Sequence, residues 1–425
     1  MSSALPNFEQ ALAVVNAYAG DLAKSLRRER EDVELSHALG RVLAQPLLAD
    51  QDQPPFARST RDGFACRAVE AARHKPLLLA GSTRAGEAAA GPLPRGAVWE
   101  IMTGAAMPIG ADAVMMLEHV ENRGDHIRLL PTRKIKAGEN VVVQGAQAKR
   151  GDVLLPAGSR IGAAQIALAA ACGYAKIGVF KRPRVAILTT GDELVPIAST
   201  PGPGQIRNSN ASMLAALVSS HGGDPWVLPS AADNEESLAA ALLRASDADL
   251  LLISGGVSAG KFDLVEPALA RFGADFHFTG VRIQPGKPLV FGELLSHAKA
   301  VSRRKDRHKR PFYGLPGNPI SSAVTSLLFV APVLAQLTGS VEGGSRFVLA
   351  QLRQDTDRKG KPGLTRFLPA HCDFSPAMSQ LPQVATVPWH GSGDLAAFAR
   401  SNCFVIVPEE AGLLEAGSTV RILLP

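Results

Sequence analysis

Residues 184–193 of the chain read RVAILTTGDE, an apolar strand that runs into a glycine followed by two acidic residues. Residues 250–260, LLLISGGVSAG, repeat the arrangement, since a strand predicted over Leu250–Ser254 ends in a pair of glycines. The loops that follow such strands lie where α/β domains bind their ligands. The two stretches therefore predict an α/β domain with a site at its glycine loops.

Strands and helices alternate on both sides of these stretches, from residue 183 to about residue 340. The alternation predicts a mostly parallel sheet with helices on both faces. The last helix has a well-marked start, because Asn318 is placed as its N-cap and Pro319 in its first turn. The predicted strands are 184–190, 226–228, 250–254, 276–283, 289–293 and 312–314, and the predicted helices are 212–221, 235–246, 263–272 and 319–337.

The flanking segments follow other patterns. The chain opens with an amphipathic helix, for which Asn7 and Gln10 form a capping pair. Further on, short β-rich runs alternate with glycine and proline turns, and strand-like runs without helical periodicity return near the end of the chain. We therefore expect an N-terminal helical domain, an inserted β domain, the α/β domain and a C-terminal β domain, over residues 1–50 with 151–182, 51–150, 183–340 and 341–425.

The formal net charge of +6 comes from one segment. Residues 299–310 contain seven basic residues and one acid, and the rest of the 425-residue chain is neutral. A basic excess suggests a nucleic-acid ligand. However, aromatic residues make up only 5% of the chain and none lies in this segment, so a base-stacking platform is not expected. The segment is interpreted as a solvated insertion, and no nucleic-acid partner is expected.

The cysteines and the N-terminus indicate the cellular compartment in which the protein works. The four cysteines are widely spaced and form no Cys-x-x-Cys pair of the kind that holds zinc or carries out redox chemistry. The N-terminus lacks the basic and apolar regions of a secretory signal. We therefore expect a soluble cytoplasmic protein without a membrane partner.

Three predicted strand ends carry glycine loops, at 189–193, 254–260 and 314–319. Glycines allow backbone N–H groups to approach an anion, and the helix behind each loop adds a partial positive charge. The loops thus predict a phosphate or oxyanion site, with plain tight turns as the alternative. The run from Gly255 resembles a P-loop but has Phe262 where the magnesium-binding Ser or Thr belongs, and no dinucleotide-binding glycine pattern follows the first strand.

Acidic residues lie close to the same loops, at Glu193, Asp233 and Asp263. Acids repel an anionic ligand unless a cation bridges them, so magnesium with a phosphate-containing ligand is the simplest explanation. Asp233 and Asp263 also occupy positions where helix N-caps belong, and capping is their alternative role. Lys287 lies in a Pro-Gly-Lys-Pro frame that suits a fixed charge for an oxyanion, with a solvated loop lysine as the alternative.

Six motifs, in this order, make the chain resemble the MoeA family of molybdopterin molybdenumtransferases, which is related to the E domain of gephyrin. The resemblance extends over essentially the whole chain. It implies an elongated homodimer whose subunits have a helical segment, an inserted β domain, a central molybdopterin-binding α/β domain and a C-terminal β-barrel. The motifs are STRDGFA at 59–65, TG at 103–104 with PIGADAV at 108–114, GEN at 138–140, TGDEL at 190–194, SGGVS at 254–258 and LPGNP at 315–319.

The resemblance also implies a reaction. Adenylyl-molybdopterin, supplied by a MogA-like adenylyltransferase, and molybdate are the substrates, AMP leaves in a magnesium-dependent step, and molybdenum is left on the dithiolene sulfurs. The chemistry is mainly positioning and charge neutralisation, with water or a molybdate oxygen as the attacking group. The alternative is a catalytically weak, gephyrin-E-like dimeric scaffold.

Site residues follow from the resemblance, motif by motif. Glu193, Asp233 and Asp263 form the catalytic, metal-linked group, and Asp62 and Thr103 reach it from the partner subunit. Gln284 departs from the family pattern, because many members have a second lysine there. The residues implied to hold the cofactor and molybdate are Gly255, Gly256, Ser258, Pro316 and Asn318, together with Lys287, Ser321 and Arg366.

Overall fold

A computed structural model describes residues 5–87, 91–257, 264–295, 309–356, 363–374, 381–411 and 413–425. Helix α1, Phe8–Ser25, begins with the predicted capping box, in which the Asn7 side chain accepts from the Gln10 N–H and the Gln10 side chain accepts from the Asn7 N–H, both at 2.9 Å. Its buried face packs into the core of the central domain, and the Phe8 ring lies 5.4 Å from that of Phe367.

The next part of the chain forms three small strand pairs, one of which joins β3 to β10, and an inserted sheet. Strand β1 pairs with β12 and β2 with β11, so residues near 30–50 lie beside residues near 153–180. Between them, six strands form a sheet of order β7-β4-β6-β5-β9-β8. The elements are β1 Arg30–Glu34, β2 Leu47–Leu48, β3 Arg58–Ser59, β4 Gly63–Cys66, α2 Ala68–Ala71, β5 Leu77–Thr83, β6 Ala97–Ile101, β7 Ala113–Met116, β8 Val120–Asn122, β9 His126–Leu129, β10 Val141–Val142, β11 Val153–Leu155, α3 Ala163–Ala171 and β12 Lys176–Phe180.

The central domain contains the predicted α/β sheet. Its elements are β13 Arg184–Thr189, β14 Leu194–Val195, β15 Ile206–Arg207, α4 Ser209–Ser220, β16 Asp224–Val227, α5 Glu235–Arg244, β17 Leu250–Ser254, α6 Val265–Arg271, β18 Asp275–Thr279, β19 Ile283–Gln284, β20 Val290–Leu295, β21 Lys309–Leu315, α7 Pro319–Thr325, a π-helical segment Ser326–Val330 and α8 Ala331–Thr338. The strand order is β16-β13-β17-β21-β20-β18, in which the first four strands are parallel and β20 pairs antiparallel with both of its neighbours, β21 and β18. The prediction of a mostly parallel sheet is confirmed.

Helices cover both faces of this sheet, as the alternation of strands and helices predicts. Along β13, Val185 and Ile187 pack into a core with helices α1, α4, α7 and α8. Ala186 and Leu188 point to the opposite face and pack with α5 and α6. The alternation of side chains along a strand therefore places β13 between two helical layers.

The last helical stretch of this domain, Pro319–Thr338, is long and apolar enough by composition to cross a membrane. It is nevertheless a core helix, because 94% of its most apolar window is buried inside the protein. Asn318 occupies the predicted N-cap position, but its side chain makes no capping bond and instead donates to the Ser392 hydroxyl at 2.9 Å. The predicted N-cap position of Asn318 and the proline in the first turn are therefore confirmed, while the Asn318 side chain binds a long-range partner in the C-terminal domain.

The C-terminal strands close into a barrel. Strand β23 pairs with both β24 and β25, so the five strands β23-β24-β22-β26-β25 form a ring. This confirms the expected β-barrel, and β19 of the central domain extends it by pairing with β23. The elements are β22 Arg346–Leu352, β23 Thr365–Asp373, β24 Gln383–Thr386, α9 Leu395–Arg400, β25 Cys403–Val407 and β26 Thr419–Leu424.

Candidate functional site

A cleft of about 660 Å³ opens at the carboxyl ends of the parallel strands β13, β17 and β21. The three predicted glycine loops contribute to it, within the described residues 189–194, 254–257 and 316–319. The first residues of α4 and the segment around Gly393 complete the lining. The cleft thus lies at the sheet edge where the strand pattern predicts ligand binding.

Glycine at position 255 is required by close packing between two of these loops. Its φ is +101°, and a Cβ atom there would lie 2.5 Å from the Thr190 carbonyl oxygen. The Gly255 N–H donates to the Leu315 carbonyl oxygen at 3.1 Å, so it holds the loops together and does not face an anion. Gly256 also lines the cleft, with φ at +64°. Both predicted glycines therefore lie at the site, and Gly255 shapes it.

Replacing Gly255 by alanine is expected to destabilise the protein by about 2 kcal/mol or more, because the added Cβ combines a backbone clash with a left-handed φ. The measurement is the free energy of unfolding in urea. Gly204 is a matched control, since its φ is +77° but a Cβ there meets nothing within 4 Å. Gly204→Ala should cost about 1 kcal/mol from φ alone. Equal losses in the two variants would contradict the packing argument.

Glu193 and Asp233 are brought together by adjacent strands. Glu193 follows β13, Asp233 follows β16, and both line the cleft. A hydrogen bond joins the two loops, because the Asp233 N–H donates to the carboxylate of Asp192, the residue before Glu193, at 3.0 Å. The Glu193 carboxylate folds back over Gly191, where a Cβ would lie 2.5 Å from its oxygen. Two acidic groups thus face one cleft, as predicted.

The capping alternative for Asp233 is wrong. Helix α5 is capped by the next residue, Asn234, whose side chain accepts from the Ser237 N–H at 2.9 Å. Asp263, the third predicted metal ligand, and Ser258 lie outside the described residues. Within the described ranges, no three His, Cys, Asp or Glu side chains are grouped closely enough to hold a metal ion by themselves.

Asp62 and Thr103 form a pair on the inserted domain. The Thr103 N–H and hydroxyl both donate to one Asp62 carboxylate oxygen, at 2.6 and 2.9 Å. The hydrogen bond from the Thr103 backbone N–H, and to a smaller extent the one from its hydroxyl, lower the pKa of Asp62 below its usual value. Both residues are exposed, and neither lines the cleft of its own subunit. The structure therefore joins these two predicted residues to each other but not to Glu193.

The residues expected to hold molybdate are spread over the edge of the cleft and the neighbouring core. Lys287 is exposed and directly precedes Pro288, which lines the cleft. Ser321 and Arg366 are each only 4% exposed and do not line the cleft, although Arg366 is paired in register with Gln284. Pro316 and Asn318 do line it.

Sequence reasoning missed the polar residues at the start of α4. The Asn210 side chain donates to the Ser254 hydroxyl at 2.9 Å and to the Gly317 carbonyl oxygen at 2.6 Å, and so ties together two loops of the cleft. The helix was predicted from residue 212, but it begins at Ser209 behind an asparagine N-cap. The Asn-Ser-Asn run at 208–210 was the available signal, since asparagine and serine favour N-caps.

Three family models match successive parts of the chain. They are the MoeA N-terminal region (domain I and II) over residues 7–173, a probable molybdopterin binding domain over residues 186–336, and the MoeA C-terminal region (domain IV) over residues 351–424. The cleft lies mainly in the second of these.

Curated relatives and solved structures agree with these matches along almost the whole chain. The molybdopterin molybdenumtransferase of Nostoc sp. (strain PCC 7120) is 33% identical over 409 residues, covering 93% of this chain and 89% of the relative. That of Bacillus subtilis (strain 168) is 34% identical over 408 residues, covering 93% and 90%. The molybdopterin biosynthesis moeA protein from Pyrococcus horikoshii OT3 superposes with a TM-score of 0.77 at 27% identity, covering 99% of this chain and 100% of that one. The chain therefore belongs to the MoeA family of molybdopterin molybdenumtransferases.

Proposed function

We propose that the protein transfers molybdenum from molybdate to molybdopterin, with adenylyl-molybdopterin as the pterin substrate and AMP as the released product. The observation that carries the proposal is the pair of carboxylates, Glu193 and Asp233, in a cleft otherwise built from glycine loops. Two acidic side chains have no evident use in a cleft for a neutral ligand. They are expected in a cleft for a phosphate ligand, because they can bind the divalent cation that bridges the protein and the phosphate.

The two carboxylates fit magnesium. Mg²⁺ prefers oxygen ligands and is usually bound through one or two carboxylates together with substrate phosphates. Glu193 and Asp233 would supply the protein ligands, with Asp263 as a third acid from the same region of the sequence. When bound, the ion would neutralise negative charge on the phosphate at which the bond to AMP is cleaved.

The chain's own residues position the substrates. The glycine loops allow the backbone to approach the ligand closely, and Asn210 fixes two of these loops relative to each other. Lys287 at the rim supplies a point charge for molybdate, which is a dianion. Positioning and charge neutralisation account for the reaction, and the mechanism uses no nucleophilic side chain.

The working unit in this proposal is a homodimer. The Asp62–Thr103 pair is exposed, and it does not line the cleft of its own subunit. A partner subunit that presents this pair to the cleft would add a preformed carboxylate, whose pKa the two bonds from Thr103 lower. We place the dimer in the cytoplasm, where a MogA-like adenylyltransferase delivers the substrate.

The test is an assay of AMP formation with purified protein, adenylyl-molybdopterin, Mg²⁺ and molybdate, with AMP quantified by chromatography. AMP is expected only when both the magnesium and the molybdate are present. An intact dimer that forms no AMP in the complete mixture would contradict the proposal and favour the dimeric scaffold instead.

A further inference from the structure

The charged residues that line the described part of the cleft are two acids and one base. Glu193 and Asp233 are acidic, and among the described residues Arg207 is the one Lys or Arg side chain in the lining. An anionic ligand gains nothing from the two acids without a cation, so Arg207 is the protein's own attractive charge in this part of the cleft.

The local structure holds Arg207 in place and leaves its charge available. Arg207 ends β15 and is paired in register with Val195 of β14. Its Nε atom donates to the Ser199 carbonyl oxygen at 3.0 Å. No carboxylate in the described part of the chain forms an ion pair with it. The guanidinium is therefore anchored at one nitrogen, and its two terminal amino groups can form a bidentate contact with a phosphate.

The N-terminus of α4 follows directly. This 12-residue helix starts at Ser209, and Asn208 caps it by accepting from the Ala211 N–H at 3.1 Å. Asn208 and Ser209 both line the cleft, so the positive end of the helix dipole is turned towards the ligand.

A buried hydroxyl without a partner lies in the same cleft. Thr190 is 7% exposed, and its hydroxyl oxygen has no hydrogen-bond partner. A buried polar group left in this state is costly, which is typical of a site that its ligand completes. Thr190 lines the same cleft as Arg207 and the start of α4, so its unpartnered hydroxyl is a second, independent indication of a ligand in that cleft.

We propose that Arg207 and the N-terminal turn of α4 form the subsite for a phosphate group of the ligand, on the other side of that phosphate from the magnesium-linked acids. This inference rests on the proposed function, since it assigns part of the same cleft. Two phosphates qualify by their chemistry, the adenylyl phosphate and the phosphate of the pterin. Both are dianionic or monoanionic esters that a guanidinium binds with two parallel hydrogen bonds.

The test compares Arg207→Gln with Arg244→Gln, which removes the same charge from an exposed position in the last turn of α5, outside the cleft. Dissociation constants are measured by calorimetry for AMP, adenosine and molybdopterin, each with Mg²⁺. We expect Arg207→Gln to weaken AMP binding about tenfold, the loss typical of one charge-assisted contact. Adenosine binding should not change, and Arg207→Lys should fall between the wild type and Arg207→Gln.

Each outcome is decisive. Weakened AMP binding assigns the subsite to the adenylyl phosphate, and weakened molybdopterin binding with unchanged AMP binding assigns it to the pterin phosphate. If Arg207→Gln matches Arg244→Gln for both ligands, or if the wild type binds neither, the proposal is overturned. Failure of the proposed function is seen separately, because a wild-type protein that forms no AMP from adenylyl-molybdopterin can still show Arg207-dependent phosphate binding.

Discussion

Replacing Glu193 by glutamine is expected to lower the rate of AMP release by at least about 100-fold. The substitution keeps the size of the side chain but removes a carboxylate from the acidic pair that the strand ends of β13 and β16 bring together. Mutation of a residue that only hydrogen-bonds to a metal ligand typically lowers activity by about 10–100-fold. Loss of a metal ligand itself should therefore lower activity by more than that. The measurement is the initial rate of AMP formation as a function of magnesium concentration.

The control for this prediction is Glu236→Gln. Glu236 is exposed in the first turn of α5 and does not line the cleft, so its loss changes the net charge equally without touching the site. Its rate should stay close to that of the wild type. A Glu193→Gln protein that folds normally and keeps more than half of the wild-type rate would show that the acidic pair is not catalytic.

The second large effect concerns the two subunits. Asp62→Asn and Glu193→Gln should each be nearly inactive alone, but a mixture of the two should recover activity. In a mixed dimer with sites shared between subunits, one cleft receives both substitutions and the other receives neither. Random mixing makes about half of the dimers mixed, so about a quarter of the wild-type rate is expected. Subunit exchange followed by an AMP assay measures this recovery.

The matched control is a mixture of Glu193→Gln with Asp233→Asn. Both residues line the cleft of the same subunit, so every cleft in this mixture carries one substitution and no recovery is expected. If the Asp62→Asn mixture also fails to recover although mixed dimers are present, Asp62 does not act across the interface.

Local sequence patterns were sufficient where a feature is set by its neighbours along the chain. Strand β17 was predicted with its observed bounds, because five apolar or small residues lead into two glycines. The Asn7–Gln10 capping box was predicted for the same reason. The two acids were placed at one sheet edge because the carboxyl ends of parallel strands lie together.

Features set by distant partners were not predictable in this way. The Asn318 side chain serves Ser392, which is 74 residues away, and not its own helix. The antiparallel edge formed by β20 and β18 has the same apolar pattern as a parallel strand, so periodicity could not reveal its direction. The start of α4 was placed three residues late, and with it the cleft residues Arg207 and Asn210 were missed.

We propose that molybdenum transfer and AMP release are one coupled event in this cleft. The most direct test measures both products in a single reaction, as molybdenum bound to the pterin fraction and as AMP. If the two events are coupled, we expect one molybdenum atom per AMP and the parallel loss of both products in Glu193→Gln. AMP release without molybdenum on the pterin, or molybdenum on the pterin without AMP release, would contradict this coupling.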